Sequence, residues 1–329
     1  STTIYTIAIV ENRDGLFPIH RALKFVLLTL SNAPIRSEAT AFSLPLLPGL
    51  RTAADFDRLP DIGGDPREVP VSIRLIEQLS GDQLAIPELR TATDARIAAR
   101  LAFGFPAAGS PDGWGLEFGR ELNATEDRTI FTTGRTGLPV VGGRHIQPFS
   151  IDLDAVSSYV DPHAAARALG RRPFDAPRLA YRDVASATNK LTLIAAVLPA
   201  GVVTTHTLFC LRTPLDEDAQ HFLAGMFNSF VANYLVRLRV TTHVTVAIVK
   251  RLPLPKPERM SAGFRTVAQC ARRLSEQPDD RRAYARLQAA AARLYGLDEA
   301  GFAHVLSTFP LVDRDVRDAS LGALAGNLS

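Results

Sequence analysis

Apolar positions along the chain fall into short β-rich runs and longer runs with helical spacing. Short runs rich in β-branched residues predict strands at residues 4–10, 23–30, 138–141, 191–197 and 244–249. Apolar residues at a 3.6-residue period predict helices at residues 55–59, 72–79, 92–101, 162–169, 222–239, 258–275, 280–295 and 297–309. The mixture predicts an α/β (α+β) fold class.

The first two strands flank a turn signal at residues 12–15 and predict a hairpin whose second strand, 23–30, is of the buried type. Because a hairpin alone is marginally stable, we expect these strands to be the edge of a sheet whose rest lies upstream. A Gly/Pro-rich loop at 103–115 suggests a boundary, and the pattern as a whole predicts domains at 1–105, 106–256 and 257–329.

The composition is that of a globular protein of 329 residues with a formal charge of +3, which is too mild an excess to prove a polyanionic partner. Basic charge is almost all arginine, which suits bidentate contacts to phosphate or guanine, although a GC-rich coding sequence is an equally good explanation. No run is long enough for a membrane span. Cys210 and Cys270 lie in apolar runs and are predicted to be buried free thiols, as in a reducing, cytoplasmic setting.

Catalytic motifs are missing from the sequence. It contains no Walker loop, no His-Glu-x-x-His and no Gly-x-Ser-x-Gly. The Gly-rich segment 112–119 follows no clear strand, so a dinucleotide site is a weak interpretation. The acidic residues 216–218 precede a helix and are interpreted as its N-terminal cap rather than a metal site. The histidines show no metal-ligand spacing.

Polar residues punctuate the apolar runs of segment 178–255, which organises the chain. Asn189 and Lys190 precede one predicted strand, His243 precedes another, and Lys250 and Arg251 follow it. A buried sheet with donors at its rim can present a binding surface. Upstream, Gly142-Gly143 is followed by Arg144 and His145, which indicates either a close backbone approach to a ligand or a hairpin with a solvated tip.

Five segments in order resemble one known family. They are 11–25, 137–149, 180–199, 227–237 followed by His243 and 252–255, and 295–310. Together they resemble the C-terminal target-recognition (TaqI-like specificity) region of type II and IIG restriction–modification adenine-N6 DNA methyltransferases. The resemblance implies that the fold is a remnant of a methyltransferase sheet, then a mixed α/β specificity domain, then a C-terminal helical bundle. It implies double-stranded DNA and an upstream methyltransferase domain of the same polypeptide as partners.

The departures from that family matter as much as the match. The family binds S-adenosylmethionine through a glycine-containing motif and holds a flipped adenine with Asn-Pro-Pro-Tyr or Asn-Pro-Pro-Phe, and neither occurs here. A nuclease Asp…Glu-x-Lys pattern is also absent. We therefore expect no cofactor, catalysis or metal site in this chain, with S-adenosylmethionine bound by the full-length parent.

The resemblance implies that the region reads bases, for which Arg pairs with guanine and Asn or Gln with adenine. The candidates for base contacts are Arg135, Arg144, His145, Gln147, Asn189 and Lys190. The candidates for phosphate contacts are Arg237, Arg239, His243, Lys250 and Arg251. Ion pairs are an equal alternative for Arg237 and Arg239, a turn cap for Asn189, and buried structural hydrogen bonds are favoured for Asn228 and Asn233.

A second class of function fits the same residues. The chain can be a non-catalytic protein–protein interaction subunit of a restriction or defence complex, whose rim residues meet another protein. Steep salt dependence of nucleic-acid binding separates the two, since phosphate contacts release counterions. A small-molecule enzyme would need a convergent acid–base cluster, which the sequence does not show.

Overall fold

A computed structural model describes residues 3–21, 23–32, 43–59, 65–184, 189–240 and 242–326. The chain is an α+β protein with two compact units, Ser1–Gly104 and Phe105–Ser329. The predicted division at 105/106 and 256/257 stays a prediction. Residues 22 and 185–188, which belong to two of the family-like segments, lie outside the described part of the chain.

The first unit is a mixed sheet with helices. Its described strands, in the spatial order β2-β1-β3-β4, are β1 (Thr3–Glu11), β2 (Lys24–Ser31), β3 (Ser43–Leu50) and β4 (Val69–Ser72). Its described helices are α1 (Ala53–Asp57), α2 (Ile73–Ser80) and α3 (Ala92–Gly104). β1 pairs with β2 in antiparallel and with β3 in parallel orientation.

The predicted hairpin of β1 and β2 is confirmed, but the prediction of a buried second strand is wrong. Gly15 adopts a φ of 77° at the turn, a conformation that glycine adopts without strain. β2 is the edge strand of the described sheet and pairs only with β1, so its side chains stay exposed. Val26 and Leu28 are each 51% exposed.

The second unit contains two small sheets. The first, in the order β10-β9-β12-β5, is formed by β5 (Phe118–Gly119), β9 (Arg178–Arg182), β10 (Ala195–Leu198) and β12 (Leu208–Leu211). The second, in the order β11-β7-β8-β6, is formed by β6 (Phe131–Thr132), β7 (Leu138–Val141), β8 (Tyr159–Val160) and β11 (Val203–Thr204). Every pair in the first sheet is antiparallel, while β7 and β11 of the second are parallel.

Helices cover the first of these sheets on one side. The described helices of the unit are α4 (Pro162–Leu169), α5 (Glu217–Phe227), α6 (Phe230–Arg237), α7 (Val246–Lys250), α8 (Ala262–Glu276), α9 (Arg281–Leu294), α10 (Glu299–Ser307) and α11 (Arg314–Leu324). α5 packs on β9 and β10 and on α8, which in turn packs on α9. The sheet therefore has a helical layer behind it and keeps its strand ends as a rim.

Most predicted helices are confirmed. Asp216 caps α5 by accepting a hydrogen bond from the Ala219 N–H, as the acidic cluster predicted. Gly296, after α9, has a φ of 67°. Both cysteines are buried free thiols. The small, polar tail forms α11, which the sequence pattern did not indicate.

Two predicted elements of segment 178–255 are wrong in part. The run 244–249 is not a strand: Thr245 accepts a hydrogen bond from the Ile248 N–H at 3.4 Å and caps the short helix α7. The cap overrides the β preference of the branched residues. In the run 191–197, the regular strand begins only at Ala195. The backbone N–H groups of Thr192 and Leu193, before it, donate to a side chain instead of to a neighbouring strand.

That side chain is Asn233 of α6, which is fully buried. Its Oδ1 accepts hydrogen bonds from the backbone N–H groups of Thr192 and Leu193, at 2.7 and 2.8 Å. Asn228, between α5 and α6, bonds to both backbone groups of Ala195. Its Oδ1 accepts from the Ala195 N–H at 3.0 Å, and its Nδ2 donates to the Ala195 carbonyl at 2.8 Å. The structural role favoured for both residues is confirmed, and their amides join the sheet to the helical layer.

A buried ion pair joins the two sheets. The guanidinium of Arg178 in β9 meets Glu121 with two 2.8 Å hydrogen bonds, and the same carboxylate accepts from the N–H of Thr204 in β11. The Glu121 side chain is 0% exposed and that of Arg178 7%. Removing one partner leaves a buried, uncompensated charge.

Replacing Asn233 with alanine should lower the free energy of unfolding of the second unit by about 3 kcal/mol, since two buried N–H groups lose their acceptor. Denaturant unfolding followed by fluorescence of Trp114, the one tryptophan, reports this unit, because its ring stacks on Phe222. The exposed Gln277→Ala is the control and should change stability by less than about 0.5 kcal/mol. Equal effects of the two substitutions would contradict the role of the amide.

Replacing Glu121 with glutamine should cost about 3–5 kcal/mol by the same measurement, because Arg178 stays buried without its counter-charge. The exposed pair Arg172–Asp175 provides the matched control. Asp175→Asn should cost less than about 1 kcal/mol. A Glu121→Gln chain as stable as the parent would show that the pair is dispensable.

Candidate nucleic-acid interface

The Gly142-Gly143 turn after β7 passes close to two threonine hydroxyls at the rim of the second unit. The Gly143 N–H donates to Thr207 Oγ1 at 2.9 Å, and a Cβ on Gly142 would lie 3.3 Å from Thr205 Oγ1. The turn continues through His145, which is buried. The tip of the turn is therefore packed on the residues after β11 and is not a solvated hairpin tip.

The His145 ring holds this turn in place. Its Nδ1 accepts a hydrogen bond from the Gly142 N–H at 2.9 Å, and Arg144 Nε lies 3.0 Å from its Nε2. A neutral imidazole accepts at one nitrogen only, so these two donors compete. Burial, and then the charge of Arg144, lower the pKa of His145. Burial therefore favours the neutral form of the ring, whose contacts lie inside the protein.

A cleft of about 550 Å³ opens at this turn, and we name it the arginine cleft. Its lining residues are Ala124, Arg128, Phe131, Thr132, Thr133, Val140, Gly142, Gly143, Arg144, His145, Ser158, Arg182, Val184, Thr205 and Thr207. Three of them are arginines and none carries a carboxylate. The cleft combines a positive charge with hydroxyl and apolar walls, which suits a polyanion with planar groups.

A second cleft of about 510 Å³ lies beside the first, and we name it the amide cleft. Its lining residues are Gln147, Pro148, Arg182, Asn189, Lys190, Leu191, Ile194, Tyr284, Val312, Asp313 and Val316. Lys190 Nζ lies 3.7 Å from the Asp313 carboxylate across it. Arg182 lines both clefts, so the two form one surface along the rim of the sheet.

The structure brings five of the predicted base-contact residues to this surface. Arg144 and His145 line the arginine cleft, and Gln147, Asn189 and Lys190 line the amide cleft. The sixth, Arg135, is exposed on the bend between β6 and β7 and lines neither cleft. Their assignment to DNA contacts stays a prediction.

Two of the predicted phosphate contacts use their donors inside the protein. Arg237 donates to Thr192 Oγ1, to the Thr308 carbonyl and to the carbonyls of Asn189 and Lys190. Arg239 donates to the Ile248 carbonyl at 3.0 Å. Burial lowers the pKa of each guanidinium to about 10. These contacts favour a structural role, and we do not place either residue in the proposed interface.

The remaining predicted phosphate contacts, three residues, lie outside both clefts. His243 Nδ1 lies 3.3 Å from the buried carboxylate of Asp183, which also pairs with Arg120 at 2.6 Å. Lys250 pairs with Glu117, and Arg251 is exposed after α7. None of the three lines a cleft described here, and their phosphate assignment stays a prediction.

Two cleft arginines were not among the sequence candidates. Arg182 is the last residue of β9, and the sequence pattern did not indicate that strand. Its signal, a polar residue at the end of a strand, is the one that made Asn189 and Lys190 candidates. Arg128 lies in a 3-10 turn, Arg128–Ile130, that no sequence pattern marked. Among the described residues, no group of His, Cys, Asp and Glu side chains is arranged to hold a metal ion, and no helix could span a membrane.

Comparisons with known proteins give distant likenesses to solved structures. No protein-family model and no curated protein matches the chain. It is similar to a type IIL restriction-modification enzyme, MmeI, in complex with DNA, with a TM-score of 0.46 and 10% identity over 100% of this chain and 44% of that one. Thus the chain spans less than half the length of that protein.

Two other solved structures show weaker likenesses. One is a type I restriction-modification assembly, with a TM-score of 0.29 and 16% identity over 72% of this chain and 53% of that one. The other is the HsdS subunit from Thermoanaerobacter tengcongensis, with a TM-score of 0.29 and 14% identity over 72% and 52%. TM-scores below 0.5 do not establish a shared fold, so the function has to be argued from the residues of this chain.

The lowered pKa of His145 predicts a pH dependence of stability. The unfolded chain takes up this proton as the pH falls below about 6.5, and the folded chain takes it up at lower pH. Stability is therefore full above that pH and is lost as the pH falls through the folded pKa. His145→Asn, which keeps an acceptor for Gly142, should flatten the dependence of the unfolding free energy on pH below about pH 6.5.

The control for this substitution is the exposed His163→Asn, which should leave the pH slope unchanged. Denaturant unfolding at a series of pH values, followed by Trp114 fluorescence, measures both variants. An identical slope in His145→Asn and the parent chain would contradict a buried, neutral His145.

Proposed function

We propose that this chain is the DNA target-recognition region of a type II restriction–modification enzyme. The observation that carries the proposal is the arginine cleft, where Arg128, Arg144 and Arg182 face one opening without a carboxylate among its lining residues. Elsewhere in the unit, Arg178, Arg120 and Arg272 each pair with a carboxylate. A site that collects unneutralised guanidinium groups favours a phosphate backbone.

The amide cleft supplies the second requirement of a target-recognition region. Gln147 and Asn189 present amides, which pair bidentately with adenine, on the same rim as the arginines. Phosphate contacts fix register, and base contacts specify sequence. The continuous surface of the two clefts offers both kinds of group to one duplex.

The finer assignment rests on the family resemblance of the sequence. We propose a TaqI-like region of an adenine-N6 methyltransferase that uses S-adenosylmethionine, with the methyltransferase domain of the same polypeptide as its partner. The residues present do not fit that cofactor: β1 leads into a 3-10 turn and an antiparallel strand instead of a glycine loop and helix. The Glu11 carboxylate at its end is occupied by Arg51 and Arg90. No methyl-transfer step is therefore assigned to this chain.

A second function, a protein–protein interaction subunit of a restriction or defence complex, is favoured by one observation. The edge strand β2 in the first unit exposes Val26, Leu27, Leu28 and Leu30, each by more than 40%. An apolar edge strand pairs readily with a strand of another chain or domain. The same exposed strand could pair with the proposed methyltransferase domain. It therefore does not separate the two functions, and a measurement of DNA binding is needed to distinguish them.

The distinguishing experiment is duplex DNA binding by the full chain over a salt series, with a randomised oligonucleotide pool. The proposal predicts binding that weakens steeply with salt and enriches a short word. Arg128→Gln should reduce the salt slope by about 1 and weaken all sequences equally, because an exposed arginine on a turn suits a phosphate contact.

Arg286→Gln is the matched control, because this exposed arginine lies on α9 outside both clefts. It should leave both the salt slope and the enriched word unchanged. Failure of the parent chain to bind duplex DNA at low salt would overturn the proposal in favour of the interaction subunit. Equal effects of the two substitutions would remove the arginine cleft from the interface.

A further inference from the structure

We infer that Arg182 reads a guanine of the recognised sequence, by donating two parallel hydrogen bonds to the base edge in the major groove. This inference rests on the proposed function and adds to it the identity of one specificity-determining contact. The inference names one residue and one base. The presence of three arginines in the cleft does not by itself identify either. Three observations on the residue and its surroundings, and the chemistry of the guanine edge, support the inference.

The backbone of Arg182 is held more firmly than that of the other cleft arginines. It is the last residue of β9, which lies between β10 and β12 in the sheet. Its N–H donates to the Ile194 carbonyl at 3.0 Å, and it pairs with Leu208 across the sheet. Arg128 and Arg144 lie in short 3-10 turns. A base contact needs such fixed geometry, whereas a phosphate contact tolerates movement.

The side chain of Arg182 is half-buried and has no counter-charge among the described residues. Burial alone lowers the pKa of its guanidinium. The adjacent Asp183 does not neutralise it, because its two carboxylate oxygens lie at 2.6 Å from Arg120 and 3.3 Å from His243. A partly desolvated guanidinium gains most from an acceptor supplied by a ligand.

The position of Arg182 is central in the proposed surface. Of the residues that the structure describes, it alone lines both the arginine cleft and the amide cleft. Contacts at the centre of an interface exclude water and discriminate best, while those at the rim mainly position the partner. Arg128 and Arg144 are exposed on one side of it, and Asn189 and Lys190 on the other.

Guanine is the base that matches a planar donor. It presents the O6 and N7 acceptors side by side in the major groove, and arginine meets both with its fork. Adenine presents one acceptor and one donor at the same positions, which an amide matches. Lysine keeps the positive charge but lacks the fork, so Arg182→Lys separates base reading from charge.

The test selects bound duplexes from a randomised pool with the full chain, at one fixed salt concentration, for the parent, Arg182→Lys, Arg182→Gln and Arg286→Lys. Arg182→Lys should reduce discrimination at one G·C pair about 5- to 150-fold and leave preferences at the other positions unchanged. Arg182→Gln should shift the preference at that pair toward adenine. Arg286→Lys, the control on α9 outside both clefts, should keep the parental word. Trp114 fluorescence during unfolding checks that each variant is folded.

The outcomes separate the inference from the proposed function. If the parent chain binds no duplex, both fail. If the parent enriches a word and folded Arg182→Lys retains it at every position, with affinity changed uniformly, the target-recognition function stands and the guanine contact is overturned. Relaxation at an A·T pair would likewise overturn it.

Discussion

The second unit depends on buried carboxamides that join its helical layer to its sheet. Asn233 and Asn228 accept hydrogen bonds from Thr192, Leu193 and Ala195, where the strand ladder is incomplete or at its start. Gln288 of α9 extends the network by accepting from the Phe230 N–H and donating to the Asn228 carbonyl. Buried polar groups of this type are costly unless every partner is present, so the network allows one register between sheet and helices.

The way in which the sheet is joined to the helices also fixes the position of the candidate interface. The strand β10 and the segment before it are bonded to α5 and α6, and β9 pairs with β10 so that Arg182 ends at the rim. The ion pair of Glu121 and Arg178 joins this sheet to β11. The residues that follow β11 in the chain, Thr205 and Thr207, contact the Gly142-Gly143 turn. The buried amides of Asn228, Asn233 and Gln288 thus position the candidate interface without lining either cleft themselves.

The sequence predicted local elements well where caps and periodicity agree, as in α2 with Ser72, α4 with Asp161 and the hairpin at Gly15. It predicted a strand at 244–249, where Thr245 caps a helix, and a buried strand at β2, which the described sheet leaves at its edge. Most candidate residues near Arg144 and Asn189 do meet at one surface. The sequence did not bring Arg182 and Arg128 forward as candidates and did not indicate the contacts of Arg237 inside the protein, because exposure and partners depend on contacts between distant segments.

Hydrogen–deuterium exchange of the full chain, with and without duplex DNA carrying the selected word, tests the central claim most directly. The account predicts slower exchange of backbone amides on the cleft-lining turns at 128–133 and 142–147 and at 205–207, with no change in α8, which lines neither cleft. Slower exchange confined to the helices, or to the β2 edge of the first unit, would contradict the claim that the rim of the sheet is the surface that binds DNA.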